Sequence, residues 1–281
     1  MNARMTSRPH LRAAAAFVAL AFALSWAAWL PLLATGAVIE RGSGWPTHFF
    51  GLLGPALAAL VVAGLAGRAV LADLGRRLWP ARSSLAGWAL ALSPAAVIVA
   101  FVIAGADPEG LTKYSGLPVL PLAGLFLLVL AVNGLGEELG WRGFLLPRLQ
   151  SVWGPVAGAL ATGAIWALWH LPLFFVVASY LALPGWVIVA GFLPGLMAGS
   201  LVLAHVTARA GVLGAALWHA LYNMAVATLL AAATKPVVAG LALVWAVALV
   251  ATAAGRRALA VPPPPDGSGR TSAAFARNDP A

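Results

Sequence analysis

The 281-residue sequence has no cysteine and only eight acidic residues. Without cysteine there is no disulfide, no thiolate nucleophile, no Cys-ligated zinc and no iron–sulfur cluster. Charged residues make up 9% of the chain, against about a quarter of an ordinary soluble domain. So few charges cannot cover a soluble protein of this size, and the same shortage excludes a disordered chain. Aspartate is absent from every long apolar run, which excludes an intramembrane aspartyl dyad. No H-E-x-x-H is present, so the usual helical zinc-protease motif is missing. Ser200 follows Gly199 in an apolar segment but has no accompanying oxyanion loop, which disfavours a serine mechanism.

What is abundant is apolar surface. Hydrophobic residues make up 62% of the chain and mean hydropathy is +0.93. Apolar runs of about 20 residues are what a bilayer core requires of a helix. Eight are readable: Leu11–Leu33, Phe49–Ala66, Leu85–Ala106, Leu117–Leu149, Val152–Val177, Trp186–Ala208, Val212–Ala233 and Val237–Ala254. The fold class is therefore all-α, a polytopic membrane helix bundle of about eight transmembrane helices.

Basic residues set its orientation, because cytoplasmic loops carry an excess of Lys and Arg. With a cytoplasmic N-terminus, fourteen bases fall inside (Arg4, Arg8, Arg12, Arg68, Arg76, Arg77, Arg82, Arg142, Arg148, Arg209, Arg256, Arg257, Arg270 and Arg277). Only Arg41, Lys113 and Lys235 fall outside. Both termini are expected in the cytoplasm. The same topology accounts for the net charge of +9 without a nucleic-acid partner, since the bases are not gathered on one element. The first apolar run is too long for a signal-peptide core and is read as a signal anchor. The expected organisation is a cytoplasmic segment over 1–10, a transmembrane domain over 11–257 with its chemistry in 117–233, and a disordered cytoplasmic tail over 258–281. The tail is Pro-rich at Pro262–Pro265 and polar beyond.

Ionisable residues inside apolar runs cost a few kcal/mol each on insertion scales and are functional by default. Three clusters stand out. In the first, Glu137 and Glu138 precede Arg142; Glu138 and Arg142 are i,i+4 neighbours that can pair, while Glu137 is turned about 100° away. The second is Trp166 with His170. The third is His219 with Asn223, again i,i+4 and on one face. His48 and His205 sit near helix ends or loops and are read as ordinary interface residues. Counted inward from the cytoplasmic turns at about 1.5 Å per residue, the three clusters can meet in the cytoplasmic half of the membrane or near its middle. A carboxylate, two imidazoles and an amide suit hydrolysis by activated water. Glu137 takes the proton from water, with His170 holding that water or sharing the proton. His219 and Asn223 donate to the oxyanion of the tetrahedral intermediate.

The order and spacing of Glu137-Glu138-x-x-x-Arg142, Trp166-x-x-x-His170 and His219-x-x-x-Asn223 resemble the CPBP family of intramembrane proteases (CAAX protease and bacteriocin-processing, or Abi), which includes the type II CAAX prenyl endopeptidases. The resemblance covers roughly 117–233; the first three runs match only as apolar helices. Trp166 departs from the pattern, since the family often has Phe there. The resemblance implies an endopeptidase in which Glu137 and His170 activate water and His219 and Asn223 stabilise the oxyanion, with Glu138, Arg142 and Trp166 in support. It also implies a peptide or membrane-protein substrate reaching the site from the bilayer or the cytoplasmic side. The favoured mechanism needs no cofactor. Two His and two Glu are nonetheless donors that a divalent metal such as zinc accepts, and Glu137, His170 and His219 are the ligands if one is bound. Ala-, Gly- and Arg-rich usage fits a bacterial protein of the cell membrane. An ion-coupled transporter is the competing reading, because it too buries Glu and His near mid-membrane; the absence of repeated halves speaks against it.

Overall fold

The computed structural model describes residues 2–79, 84–103, 108–229 and 259–265. It is helical, and among the described residues no strand forms; only isolated bridges join the loops. Among the described residues, five helices are long and apolar enough to cross a membrane. They are the spans of an integral membrane protein.

Helix α1 spans Asn2–Ala34 and α2 spans Phe49–Ala66. The short α3, Arg68–Arg76, buries Val70 and Leu74. Helix α4, Leu85–Ile103, follows. Helix α5 is a continuous run over Leu122–Trp153. It begins five residues later than expected, because Pro118 and Pro121 fall in the non-helical approach to it and Pro121 has a ψ of 140°. It also runs past Leu149: Arg148 donates to the Phe144 carbonyl at 2.7 Å, and Gln150 is held by backbone partners described below. Gly154, at φ 82°, separates α5 from α6, Pro155–Trp169, which continues as a 3₁₀ turn over Leu171–Phe175.

The last long element, α7, is one apolar run over Gly185–Val226. Gly211 breaks it, with φ 69° and ψ −172°. A Cβ built on Gly214 lies 3.5 Å from Cγ1 of Val206, eight residues earlier. A straight helix would separate them by about 12 Å, so the chain doubles back at Gly211, and the sixth and seventh expected runs are the two limbs of a hairpin. The eighth expected run, Val237–Ala254, lies outside the described residues.

An aromatic spine ties α1, α5 and α6 together. Trp29 and Trp169 meet edge to face at 4.7 Å, Trp141 and Trp169 at 5.6 Å, and Phe17 and Trp141 at 5.4 Å. In lipid the driving force for such contacts is close packing rather than burial from water. Small residues permit it. A Cβ on Gly140 would stand 2.6 Å from the Pro55 carbonyl of α2, and one on Gly134 2.7 Å from the Ala216 carbonyl of α7. Both pairs of backbones touch only because those positions are glycine.

The two ends of the bundle differ in charge. At one end lie Arg68, Arg76, Arg77, Arg148 and Arg209. The backbone N–H groups of Val212 and Leu213 donate there to the carbonyls of Arg77 and Leu78 at 2.9 and 3.1 Å. The tail segment 259–265 is seated at this end as well: Gln150 Nε2 donates to the Leu259 carbonyl at 2.8 Å, Val261 N–H donates to Gln150 Oε1 at 3.0 Å, and Arg77 donates to the Pro262 carbonyl at 2.9 Å. The tail expected to be disordered therefore begins with an ordered stretch. At the other end, the loop after α1 is laced to its neighbours. Ile39 N–H donates to the Val176 carbonyl at 2.7 Å, Gly42 N–H to the Tyr114 carbonyl at 3.0 Å and Gly116 N–H to the Glu40 carbonyl at 2.9 Å. Arg41 belongs to this end and reaches the Gly110 and Lys113 carbonyls. Arg142, counted with the inside loops in the sequence reading, lies instead in the core with its side chain fully buried.

Candidate active site

The two adjacent glutamates sit between two π-helical segments of α5, Leu130–Leu135 and Leu139–Leu145. A π segment widens the turn by a residue and recurs at functional sites; here the pair re-aims two side chains to different neighbours. Glu137 points at α6, where its Oε2 accepts a 2.7 Å hydrogen bond from Trp166 Nε1. Glu138 points at α7. Its Oε1 accepts from Arg142 Nη1 at 2.9 Å and faces His219 Nδ1 at 2.8 Å. The i,i+4 pairing of Glu138 with Arg142 is as the spacing predicts, and it is sealed from solvent and lipid. A carboxylate and a guanidinium buried together hold each other in place at the cost of desolvating both.

Trp166 is the hub. Its indole binds Glu137, its ring lies 4.4 Å from the Arg142 guanidinium carbon, and it meets the rings of His170 and His219 edge to face at 5.4 and 5.3 Å. His170 closes the α-helical part of α6 and is 7% exposed. Its Nδ1 lies 2.8 Å from the Trp166 carbonyl. A carbonyl only accepts, so that nitrogen carries the proton and Nε2 is left as a lone-pair acceptor. His219 is 3% exposed, on the limb of α7 after Gly211. Asn223 is one turn further along the same limb and half-buried, and its side chain hydrogen-bonds Tyr114.

The structure thus brings Glu137, Glu138, Arg142, Trp166, His170 and His219 into one cluster, with Asn223 at its border. It also adds residues that the motifs do not contain. The chain has only three tyrosines, and all three gather here. Tyr114 reaches Asn223 from the loop before α5, Tyr180 packs on Phe192 at 5.3 Å with Phe192 against His170, and Tyr222 stacks on Trp218 at 4.9 Å. Burial pushes the Tyr114 phenol well above its ordinary range, with Tyr180 and Glu137 nearby adding to the rise and Asn223 opposing it. His48 is no ordinary interface residue: it is 6% exposed and close enough to His170 to act on it electrostatically. Burial holds His48 at about 4, so it is neutral at physiological pH. Asn133, 4% exposed and one turn before Glu137, is a further buried polar group outside the three motifs. His205 stays apart, 3.1 Å from Arg209. The scarcity of tyrosine was the available signal for Tyr114; for His48 only contact across the fold reveals its place.

Among the described residues, no three His, Asp or Glu side chains are placed so that they could share one metal ion. Four of the nearest donor atoms are already engaged: Glu137 Oε2 with Trp166, Glu138 Oε1 with Arg142 and His219, His170 Nδ1 with a carbonyl, and His219 Nδ1 with Glu138.

Residues 119–225 match the family model of the Rce1-like type II CAAX prenyl endopeptidases. A curated relative, CAAX prenyl protease 2 of Methanococcus maripaludis, is 48% identical over 56 residues, an alignment that spans 20% of this chain and 20% of the relative. The matched segment holds Glu137, Glu138, Arg142, Trp166, His170, His219 and Asn223, and over it the chain is similar to the Rce1-like type II CAAX prenyl endopeptidases.

Proposed function

We propose that the protein is an intramembrane endopeptidase that hydrolyses a peptide bond with activated water and without a metal. The observation that carries this reading is the separation of two adjacent carboxylates into different environments. Glu138 is neutralised by Arg142 and bound to His219, whereas Glu137 keeps one oxygen outside its bond to Trp166. Glu137 is the general base. His170, fixed as the Nδ1–H tautomer, offers Nε2 as a second acceptor to the same water. The attacking hydroxide adds to the scissile carbonyl carbon, and the proton passes by way of Glu137 to the departing amine.

His219 and Asn223 stabilise the oxyanion. With its Nδ1–H donated to Glu138, His219 donates from Nε2 only as an imidazolium. Charge counting favours that form: two carboxylates face one guanidinium, and an imidazolium brings the cluster to neutrality. The Asn223 carboxamide, one turn away, supplies the second donor. The substrate class is a peptide segment held at or in the bilayer, and prenylation is not required by any residue named here.

The test compares two isosteric variants. Glu137→Gln keeps shape and fold but cannot accept the proton, and turnover is expected to fall by about two to four orders of magnitude. Glu138→Gln strips the buried Arg142 of its counter-charge and is expected to lower stability by about 3–5 kcal/mol. Near-normal turnover by folded Glu137→Gln removes Glu137 from the role.

A further inference from the structure

Glu138 on α5 and His219 on the second limb of α7 face each other at 2.8 Å. That distance depends on where the two helices are anchored, and the anchorage lies at the arginine-rich end. A Cβ built on Gly143 of α5 would stand 3.0 Å from Leu74 of α3 and 3.5 Å from Val212, where the α7 limb starts. The three elements therefore converge five residues after Glu138. Just past α3, the carbonyls of Arg77 and Leu78 take the backbone N–H groups of Val212 and Leu213, so the limb that carries His219 is fastened to the end of α3.

The segment 259–265 is bonded to both sides of this junction. On the α5 side it meets the Gln150 carboxamide, which is 8% exposed. Gln150 Oε1 accepts from Val261 N–H at 3.0 Å, and its Nε2 donates to the Leu259 carbonyl at 2.8 Å and to the Pro155 carbonyl of α6 at 3.1 Å. One side-chain amide thus pairs with the backbone on either side of Ala260, much as a neighbouring strand would. On the α3 side, Arg77 Nη1 donates to the Pro262 carbonyl at 2.9 Å, with its Nε held on Asp73 at 2.7 Å. The contact is buried as well as bonded: Leu259 is 0% and Val261 8% exposed. Pro262–Pro265 carry no N–H, so they add no unpaired donor where Pro264 is buried.

We infer that the segment 259–265 is a clasp that keeps α5 and the second limb of α7 in register for the reaction, with Gln150 and Arg77 as positioning residues. This rests on the hydrolase reading above and adds to it a part of the chain outside the matched residues 119–225. Register matters because the second π segment, Leu139–Leu145, lies between the glutamates and Gln150. A π turn holds one residue more than an α turn. If it slips to an α turn, the glutamates rotate by about 100° relative to Gln150, and Glu137 leaves Trp166 while Glu138 leaves His219. The clasp opposes that slip by fixing Gln150 to α6 and, through Pro262 and Arg77, to the start of the α7 limb. Gln150 and Arg77 touch neither the water nor the peptide; they act through Glu137, Glu138 and His219.

Two mild variants of the full chain test it. Val261→Pro removes the donor to Gln150 Oε1 and suits a residue that already precedes a proline and so favours extended backbone. Arg77→Gln releases the Pro262 carbonyl and leaves the Arg77 backbone bond to Val212 in place. Amide hydrogen exchange of wild type and both variants in detergent is followed by mass spectrometry, beside kcat and KM on a tagged membrane peptide. Exchange over Leu139–Leu145 and over 212–219 is expected to rise about tenfold in both variants, with 24–34 of α1, at the opposite end, unchanged. Turnover is expected to fall by a similar factor while KM changes far less. Faster exchange confined to 259–265 and Leu146–Trp153 shows a merely local attachment and overturns the inference. So does a rise that includes 24–34, which reports general destabilisation, and so does an unchanged kcat in chains whose exchange has risen at the site. Exchange does not depend on turnover: if it responds as expected while the wild type cleaves no membrane peptide, the clasp stands and the protease reading fails.

Discussion

Trp166 Nε1 donates a 2.7 Å hydrogen bond to Oε2 of Glu137 while the same indole lies 4.4 Å from the Arg142 guanidinium carbon. One side chain thus bridges the carboxylate read as the base and the cation that neutralises its neighbour. The indole N–H restrains Glu137 in one rotamer, and the ring packs against the Arg142 guanidinium.

Replacing Trp166 separates these contributions. Trp166→Phe keeps a ring against Arg142 and loses only the N–H. A hydrogen bond to a charged group is worth about 1.5–3 kcal/mol, and if that restraint acts in the transition state, kcat falls about tenfold or more. Because Phe keeps an aromatic ring against Arg142 and the two histidines, the variant is expected to fold. Trp166→Ala empties the hub and is expected to lose the fold. Steady-state kinetics and thermal unfolding of both variants in detergent decide it: unchanged kcat in Trp166→Phe shows that the indole bond does not orient the base.

Helix spacing governs the site from further away. Ala216 is three residues before His219, and its carbonyl faces Gly134 so closely that an added Cβ would stand 2.7 Å from it. Gly134→Ala must push α7 away from α5. That stretches the His219–Glu138 contact of 2.8 Å. Overpacking of this kind typically costs about 1–3 kcal/mol. The expected outcome is a lower unfolding midpoint together with a turnover loss larger than that of Gly124→Ala. Gly124 lies on the same helix with open space around it. Equal behaviour of the two variants would show that the close approach at Gly134 does not set the site.

The local rules of helix geometry carried most of this site. The i,i+4 spacing of Glu138 and Arg142, the turn of about 100° between adjacent glutamates and the shared face of His219 and Asn223 are properties of one helix each, and one helix is legible in a sequence. The π segments were not, because widening a turn by one residue leaves no mark on residue types. Tyr114 and His48 were not legible either. Their place depends on how loops some 66 residues apart fold against each other, through the bridges Arg41 to Ser115 and Ser43 to Pro118. Arg142 was misread for a related reason: a base near a helix end counts as a loop charge until its buried partner is seen. The first residues of the tail were misjudged because Gln150, which binds them, is distant in sequence.

Variants of His219 and Asn223 separate oxyanion stabilisation from metal binding. Asn is a poor zinc ligand and a good donor. If the pair stabilises an oxyanion, Asn223→Ala lowers kcat by about two to three orders of magnitude and changes KM far less, because the bond strengthens only in the transition state. Tyr114→Phe, which removes the partner of Asn223 but not its donor, is expected to lower kcat by a smaller factor and to leave substrate binding in place. Metal content stays at background in the wild type and in both variants, and chelators do not inhibit. If the site instead holds zinc through Glu137, His170 and His219, then His170→Ala or His219→Ala loses a stoichiometric metal, and chelation silences the wild type until zinc is restored. Elemental analysis of purified wild type and both His variants, run beside activity with and without chelator, distinguishes the two. One tightly bound metal per active chain, lost together with activity in the His variants, would defeat the metal-free mechanism. Asn223 would then be a partner of Tyr114 and no longer a donor to the reacting oxygen.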